Sequence, residues 1–351
     1  MESSTLDKAL IENIFDSSDL SFIDLMDNSA IYEQVIKEVD YLPVLYSYSS
    51  IKYQFLYHQE TEGKWIDLSK IIYWDNRPVG LWPISISLKE NNFSINSQGW
   101  KLLPPILVGH LSDKSKRKIF ISCLEILFEI KKILKVSSIS AIDQILVEDN
   151  KSIGDWHDQL LNKGAVASVR YQMYVDLSPK IEQIRNSFRK GHRAAVKEEK
   201  LPIEARILTK KDNKIWATFQ SFHETISGRK TRSDDTWDLQ LDQIDSGNAF
   251  FVYLLDESKE MIGGGLFNTS KDEAFYGVGV YNRDLFDKPL GHLVQFAAMK
   301  ECKNRNINWF WLGEMLHLSY KPKPSEKELS ISHFKKGFAS HIFPNYLLKI
   351  E

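Results

Sequence analysis

From Gly247 to Glu314 the spacing of apolar and polar positions predicts one packed unit. Ala249 to Leu255 is an unbroken apolar and aromatic run of strand length, Asp256 to Glu260 is a polar turn, and Met261 to Thr269 returns as a second strand. A third strand follows over Glu273 to Tyr281, alternating around Phe275, Gly277 and Gly279. Pro289 then stands at a first helical position, and Leu290, Leu293, Val294, Ala297, Ala298 and Cys302 share one helical face. Ile307 to Leu312 closes the unit as an apolar strand. Three successive glycines, Gly263, Gly264 and Gly265, fall inside the second strand, where absent side chains are expected to let a ligand lie on the backbone.

A similar order runs earlier in the chain. Val44 to Tyr48 and Lys52 to Gln59 read as strands; Lys70 to Trp74 and Pro78 to Ser87, with Gly80 inside, flank a turn at Asp75 to Arg77. A helix from about Ser112 to Lys135 carries Phe120, Cys123, Leu124, Leu127 and Leu134 on one face, and Ile139 to Val147 is the strand after it. Strand, turn, glycine-bearing strand, helix and strand therefore occur twice. The expected fold is α+β, a mixed α/β architecture of two similar domains side by side, 1–165 and 166–351.

Composition changes this picture little. At 351 residues, 43% hydrophobic, 26% charged and with a formal net charge of -2, the chain shows no global bias toward nucleic acid or membrane. An aromatic content of 12% suits wide apolar cores or surfaces that stack sugars and bases. Met1 to Leu10 lacks the pattern of a secretory signal, and the longest apolar helix, Ile119 to Ile130, is interrupted by Glu125 and Glu129, so no membrane span is expected. The two cysteines, Cys123 and Cys302, lie on apolar helical faces. They read as buried free thiols, which suits a cytoplasmic protein.

Local charge is more informative. Ser178 is placed to cap a helix with Pro179 in its first turn. Along that helix Arg185, Arg189, Arg193 and Lys197 recur every fourth residue, extended by Lys190, His192 and Lys200. Such a row is either a solvated face or a contact for phosphate or pyrophosphate. Gly228-Arg229-Lys230-Thr231-Arg232 precedes a helix that Ser233 would cap. It is either a polar turn or an anion site where free amides and two guanidinium groups converge. Near the C-terminus, Trp311-Leu312-Gly313-Glu314 leads through a Lys/Pro loop to a helix starting near Ser325 and to Ser332-His333-Phe334-Lys335-Lys336-Gly337-Phe338. Lys335 and Lys336 stand there between two aromatic residues.

With these residues in view, the stretch from Val166 to Phe338 resembles the Fem family of peptidoglycan-bridge aminoacyltransferases. The likeness rests on Val175-Asp176-Leu177-Ser178, His192-Arg193-Ala194-Ala195-Val196-Lys197, Gly228 to Trp237, Ile262-Gly263-Gly264, Gly291-His292, Leu312-Gly313-Glu314 and Phe334-Lys335-Lys336-Gly337-Phe338. The resemblance implies two GNAT-like acyltransferase domains. It also implies transfer of an acyl or aminoacyl group onto an amine of a cell-envelope glycan or peptidoglycan precursor. No bound cofactor is implied; the donor co-substrate is aminoacyl-tRNA, with a tRNA contact, or acyl-CoA.

Such transfer needs a neutral amine, a stabiliser for the tetrahedral oxyanion and a proton for the leaving group. Amides at Gly264 and Gly265 are the expected oxyanion contact. Lys335, at the family's Phe-Lys position, is expected to hold charge at the acyl centre or on a donor phosphate. Glu314 is the expected general base, with His317 and then His223 next. Arg193, Arg229, Arg232, Trp237, Tyr276 and Lys336 complete the expected donor and substrate contacts. No histidine spacing suits a metal, and no nucleophile is paired with a base, so direct attack is expected. The alternative is a GNAT-fold protein without turnover that binds nucleic acid or a nucleotide-sugar.

Overall fold

The computed structural model describes residues 8–143, 154–197 and 202–351. The chain divides into two compact units, Met1–Val169 with Asn345–Glu351, and Arg170–Pro344. The C-terminal strand thus runs back into the first unit, and the long strand over Val166–Asp176 crosses the division.

In the first unit α1 (Lys8–Asp16), β1 (Ser21–Asp24), α2 (Ser29–Glu38), α3 (Tyr48–Thr61), β2 (Lys64–Asp67), β3 (Lys70–Trp74) and β4 (Arg77–Trp82) are followed by β5 (Ser85–Lys89), β6 (Asn92–Asn96), β7 (Ile106–Leu107), α4 (Asp113–Ile133), β8 (Ile139–Ile142) and α5 (Asp155–Asn162). The strands form antiparallel sheets in the orders β1-β3-β4-β7 and β2-β5-β6. The expected β3–β4 hairpin is present, and Asp75 and Asn76 turn it with φ of 50° and 59°, the left-handed pair of a tight hairpin turn. Helix α4 also matches its expected face: Ser112 caps it by accepting from Ser115 N, and Phe120, Cys123, Leu124 and Leu127 are buried. Of the strand expected over Ile139–Val147, Ile139–Ile142 is observed and the remainder lies outside the described residues.

Two expected strands are instead helical. Val44–Tyr46 is a 3-10 turn, and Lys52 to Gln59 lies within α3. Tyr53, Phe55 and Tyr57 mimic a strand's alternation, but Ser47 accepts from Ser50 N and nucleates a helix at that point.

The second unit contains β9 (Val166–Asp176), α6 (Ile181–Ser187), α7 (Lys190–Ala195), β10 (Glu204–Leu208), α8 (Asn213–Ser227), α9 (Asp234–Asp245), β11 (Ala249–Leu255), β12 (Met261–Thr269), β13 (Glu273–Tyr281), α10 (Leu290–Asn304), β14 (Trp309–Glu314) and α11 (Glu326–Lys336), before β15 (His341–Ile350) ends the chain and pairs with β8 in the first unit. Its sheet has the order β10-β11-β12-β13-β14-β9. Neighbouring strands in this order pair antiparallel except β13 with β14, which α10 connects as a parallel crossover. Phe250, Val252, Leu254 and Phe267 face α10, whereas Phe251, Tyr253 and Leu266 face α8 and α9, which explains why β11 reads as an unbroken apolar run.

The basic helix expected after Ser178 is broken. Lys180 is the N-terminal cap of α6, and Phe188 and Arg189 are extended, with ψ of 153° and 144°, before α7 begins. Phe188 is buried against Phe296 and Phe338, and Arg189 N donates to Gly337 O, so tertiary packing interrupts the helical repeat. Arg185 pairs with Glu182, Arg189 with His333 and His192, and Arg193 with Asn186 O; the row of cations does not share one face. Lys200 lies outside the described residues.

Candidate functional site

The parallel pairing of β13 and β14 lasts for three residue pairs, Glu273 with Trp309, Ala274 with Phe310 and Phe275 with Trp311. Beyond them β13 stays paired with β12 as far as Tyr281, while β14 stays paired with β9 as far as Glu314. A wedge therefore opens between the two strands. Both strands are irregular at its apex: the register against β12 shifts at Gly277, and the register against β9 shifts at Leu312. Gly313, the next residue, has a φ of +98°, a conformation that favours glycine.

The alternation of an antiparallel ladder fixes where the β13 amides point. Asn282 N donates to Ile262 O, so Val280 and Val278 exchange bonds with β12, and the amides of Gly279 and Tyr281 turn the other way, into the wedge. Gly279 is exposed there. Tyr276 and Tyr281 line the same strand with their hydroxyls 2.9 Å apart. Burial pushes the Tyr276 phenol up to about 12, and burial with the neighbouring Tyr276 raises Tyr281, so both are neutral hydrogen-bonding groups at pH 7.

Lys335 projects from α11 to the mouth of this wedge. Its Nζ is 5.8 Å from the centre of the Tyr276 ring and 3.6 Å from where a Cβ on Gly313 would lie. Among the described residues it has no carboxylate and no hydrogen-bond acceptor, and burial lowers its pKa below the usual lysine value. Helix α11 is well fixed. Ser325 and Glu328 form a reciprocal cap, and Ser332 Oγ accepts from Leu316 N. His192 meets Phe334 O through Nε2 at 2.9 Å, and a Cβ on Gly337 would collide with that imidazole. His292 packs on His192 with ring centres 4.4 Å apart. Burial, then His192 and Arg189, lower His292 to about 4, and burial lowers His192 as well, so this pair is packed as neutral rings.

At the far end of β14 the Glu314 carboxylate, 24% exposed, lies 3.4 Å from Arg170. Arg170 also donates to Lys321 O and lies over the Tyr320 ring at 4.1 Å. His317 is held edge-on by Tyr171 and Tyr320, with its Nε2 buried and without a partner among the described residues.

No protein-family model and no curated protein sequence matches the chain. Solved structures do. FemX is 12% identical with a TM-score of 0.64, covering 93% of this chain and 96% of its own. A tandem GNAT protein from the clavulanic acid biosynthesis pathway is 11% identical with a TM-score of 0.51, covering 95% and 98%. The L-PGS of Bacillus licheniformis is 12% identical with a TM-score of 0.54, covering 93% and 92%. The fold is a Fem-like tandem of GNAT domains.

In this Fem-like fold the expected site residues separate into two groups. Lys335, Tyr276 and Glu314 lie along the wedge, and His317 follows Glu314 in the next loop. The expected ligand-facing glycines do not line it. A Cβ on Gly264 would meet Phe251 at 2.7 Å, and one on Gly265 would meet Tyr276 at 2.6 Å and Val294 at 3.1 Å. Both are buried, as is Gly263 beneath Tyr281; the three glycines are beds for aromatic rings.

Arg232 turns inward, 4.6 Å from the Trp237 ring and 3.0 Å from Gln240 Oε1, and Trp237 is itself in the core against Trp216 and Phe219. His223 packs on Trp237, and burial followed by Arg232 lowers it to about 4, which places it in that core. Arg229, Arg193 and Lys336 are exposed, and Arg193 spends one donor on Asn186 O. Gly279, Tyr281, Gly313 and Arg170 are not among the site residues expected from the sequence. The first three were marked by the glycine and aromatic alternation of Phe275 to Tyr281 and by the strand-end Gly-Glu; Arg170, in a strand of mixed character, gave no signal.

Proposed function

We propose that this protein is an N-acyltransferase that moves an acyl or aminoacyl group from an activated ester or thioester to an amine, using the wedge between β13 and β14. The observation that carries this reading is the half-buried Lys335 ammonium, held at the mouth of the wedge without an acceptor of its own among the described residues. A carbonyl oxygen that becomes an oxyanion would give it one. The amides of Gly279 and Tyr281 would reach the same oxygen or the chain attached to it.

In the proposed reaction the neutral acceptor amine attacks the donor carbonyl, forming the C–N bond. The tetrahedral oxyanion is held by Lys335 and a strand amide. The C–O or C–S bond then breaks, and the proton lost by nitrogen goes to Glu314 and from there to the leaving group. Tyr276 and Tyr281 keep water from the acyl carbon and orient it through their paired hydroxyls. No covalent enzyme intermediate is invoked: Cys123 and Cys302 are buried, and burial raises both thiols. The Fem likeness supports an aminoacyl-tRNA or acyl-CoA donor and an amine of a glycan or peptidoglycan precursor as acceptor, and the two free cysteines suit a reducing, cytoplasmic setting. Among the described residues no helix is long and apolar enough to cross a membrane.

The test is transfer of label from charged tRNA or acyl-CoA to amine-bearing envelope precursors, followed by mass spectrometry of the product. Lys335→Ala is expected to lower kcat about 10²-fold, the size of losing one oxyanion donor. Full activity in that variant, with its fold intact, would remove the wedge from the mechanism.

A further inference from the structure

The first unit has a cavity of about 510 Å³ between α3, β2 and the loop after β1. Five apolar side chains and a set of charged ones line it. Phe55 and Leu56 are half-buried on the α3 face that looks into it, and Trp65 and Ile66 of β2 and Met26 close the other side. Trp65 is stacked on His58 with ring centres 5.0 Å apart, which holds one wall in place.

The charged lining is not balanced. Asp24 is taken up by Lys70, which also binds Glu12, and Lys8 lies 3.7 Å away. Asp67 has no ion pair among the described residues, yet it is firmly placed. Its Oδ1 accepts from Ser69 Oγ at 2.7 Å and Gln98 Nε2 at 2.9 Å, and Gln98 also donates to Ser69 Oγ. Ser69 and Gln98 are 1% and 2% exposed, so the carboxylate is anchored from behind. Burial raises its pKa above the ordinary carboxylate range; hydrogen bonds from the Ser69 side chain, Gln98 and the Ser69 backbone, and the charge of Lys8, offset this only in part. A fixed carboxylate in apolar surroundings gains most from a cation that arrives with its own hydrocarbon cover. Asp27 adds a third carboxylate to the lining against two lysines: Lys8, already 3.7 Å from Asp24, and Lys52 of α3, which is exposed.

We propose that this cavity is a binding site for a small organic cation, with an ammonium group against Asp67 and an apolar or aromatic body along Phe55, Leu56 and Trp65. The site is independent of the chemistry assigned to the second unit.

Calorimetric titration of the full chain with phenethylamine, 2-phenylethanol and 3-phenylpropanoate tests it, with ring resonances of Phe55 and Trp65 as the local readout. The amine is expected to bind at least tenfold more tightly than the alcohol, and the carboxylate not at all. Asp67→Asn, which keeps the hydrogen-bonding shape, is expected to remove the preference for the amine. Leu56→Trp, which fills the cavity and leaves Asp67 in place, is expected to abolish binding of both. Equal binding of amine and alcohol, an unchanged preference in Asp67→Asn, or retained binding in Leu56→Trp would each overturn the assignment.

Discussion

Lys335→Met separates a catalytic group from a structural one, because the two roles move stability in opposite directions. Methionine keeps most of the side chain's length and removes the charge. Full burial of an unpaired ion costs several kcal/mol after relaxation. The ring of Tyr276 at 5.8 Å returns roughly 0.5–1 kcal/mol, and partial contact with solvent returns more. The net gain expected from the substitution is about 1–2 kcal/mol at pH 7, a rise in Tm of roughly 2–8 °C for a unit of this size.

The gain should also depend on pH. The pKa of Lys335 lies lower in the folded protein than its ordinary 10.5, so the unfolded chain binds more protons between those two values, and wild-type stability rises with pH across that window. The advantage of the variant is therefore largest at neutral pH and closes as the pH approaches 10.5. Because the expected change is local to Lys335, amide hydrogen exchange in β13 and α11 is a better readout than a single global transition. Transfer activity should meanwhile fall about 10²-fold or more. A variant less stable than the parent at pH 7, or a difference that does not change by pH 10, would show that Lys335 is a packed structural residue.

Three further outcomes follow from the same contacts. Gly264→Ala forces a methyl group against the Phe251 ring at 2.7 Å and should cost about 1–3 kcal/mol of stability, seen in urea unfolding. Arg232→Ala removes the contacts with Trp237 and Gln240; it should destabilise the second unit by roughly 1–2 kcal/mol while leaving KM for donor and acceptor unchanged in the folded protein. His292, lowered to about 4 by burial, binds fewer protons folded than unfolded, so stability should fall as pH drops from about 6.5 toward 4; in His292→Leu, thermal melts across that range should show a flatter fall.

The parts of the fold that were legible in the sequence are those governed by local chemistry. The Asp75-Asn76 turn, the Ser112 cap with its apolar helical face, the Ser233 and Ser325 caps and the order of strands from Ala249 onward all follow from neighbouring residues. What misled was decided by distant residues. Phe188 leaves the helical repeat because Phe296 and Phe338 bury it, which also disperses the row of arginines. Arg232 looks like an anion contact until Trp237 and Gln240 turn it inward. The glycine triplet was seen correctly as a place of close approach, but what approaches is Phe251, Tyr276 and Tyr281. Lys335 and Glu314, both expected site residues, each sit at the end of an element that its neighbouring residues define.

The candidate site is also where this unit departs most from regular structure. Parallel pairing stops after Phe275 and Trp311, two strands shift register, Gly313 adopts a left-handed conformation, and the half-buried ammonium of Lys335 has no acceptor among the described residues. Each departure weakens the sheet or leaves a polar group short of a partner, and all of them occur within a few residues of Tyr276 and Gly313. The rest of the unit is strong enough to hold them: all seven residues of β11 are buried, and nine residues of α10 are buried beside it. One ligand group, an acyl oxygen acquiring negative charge, would meet the strand amides and the ammonium together. Stabilisation of that kind grows as charge develops on the oxygen and is small for an uncharged acyl group, which favours turnover over simple retention of a bound molecule.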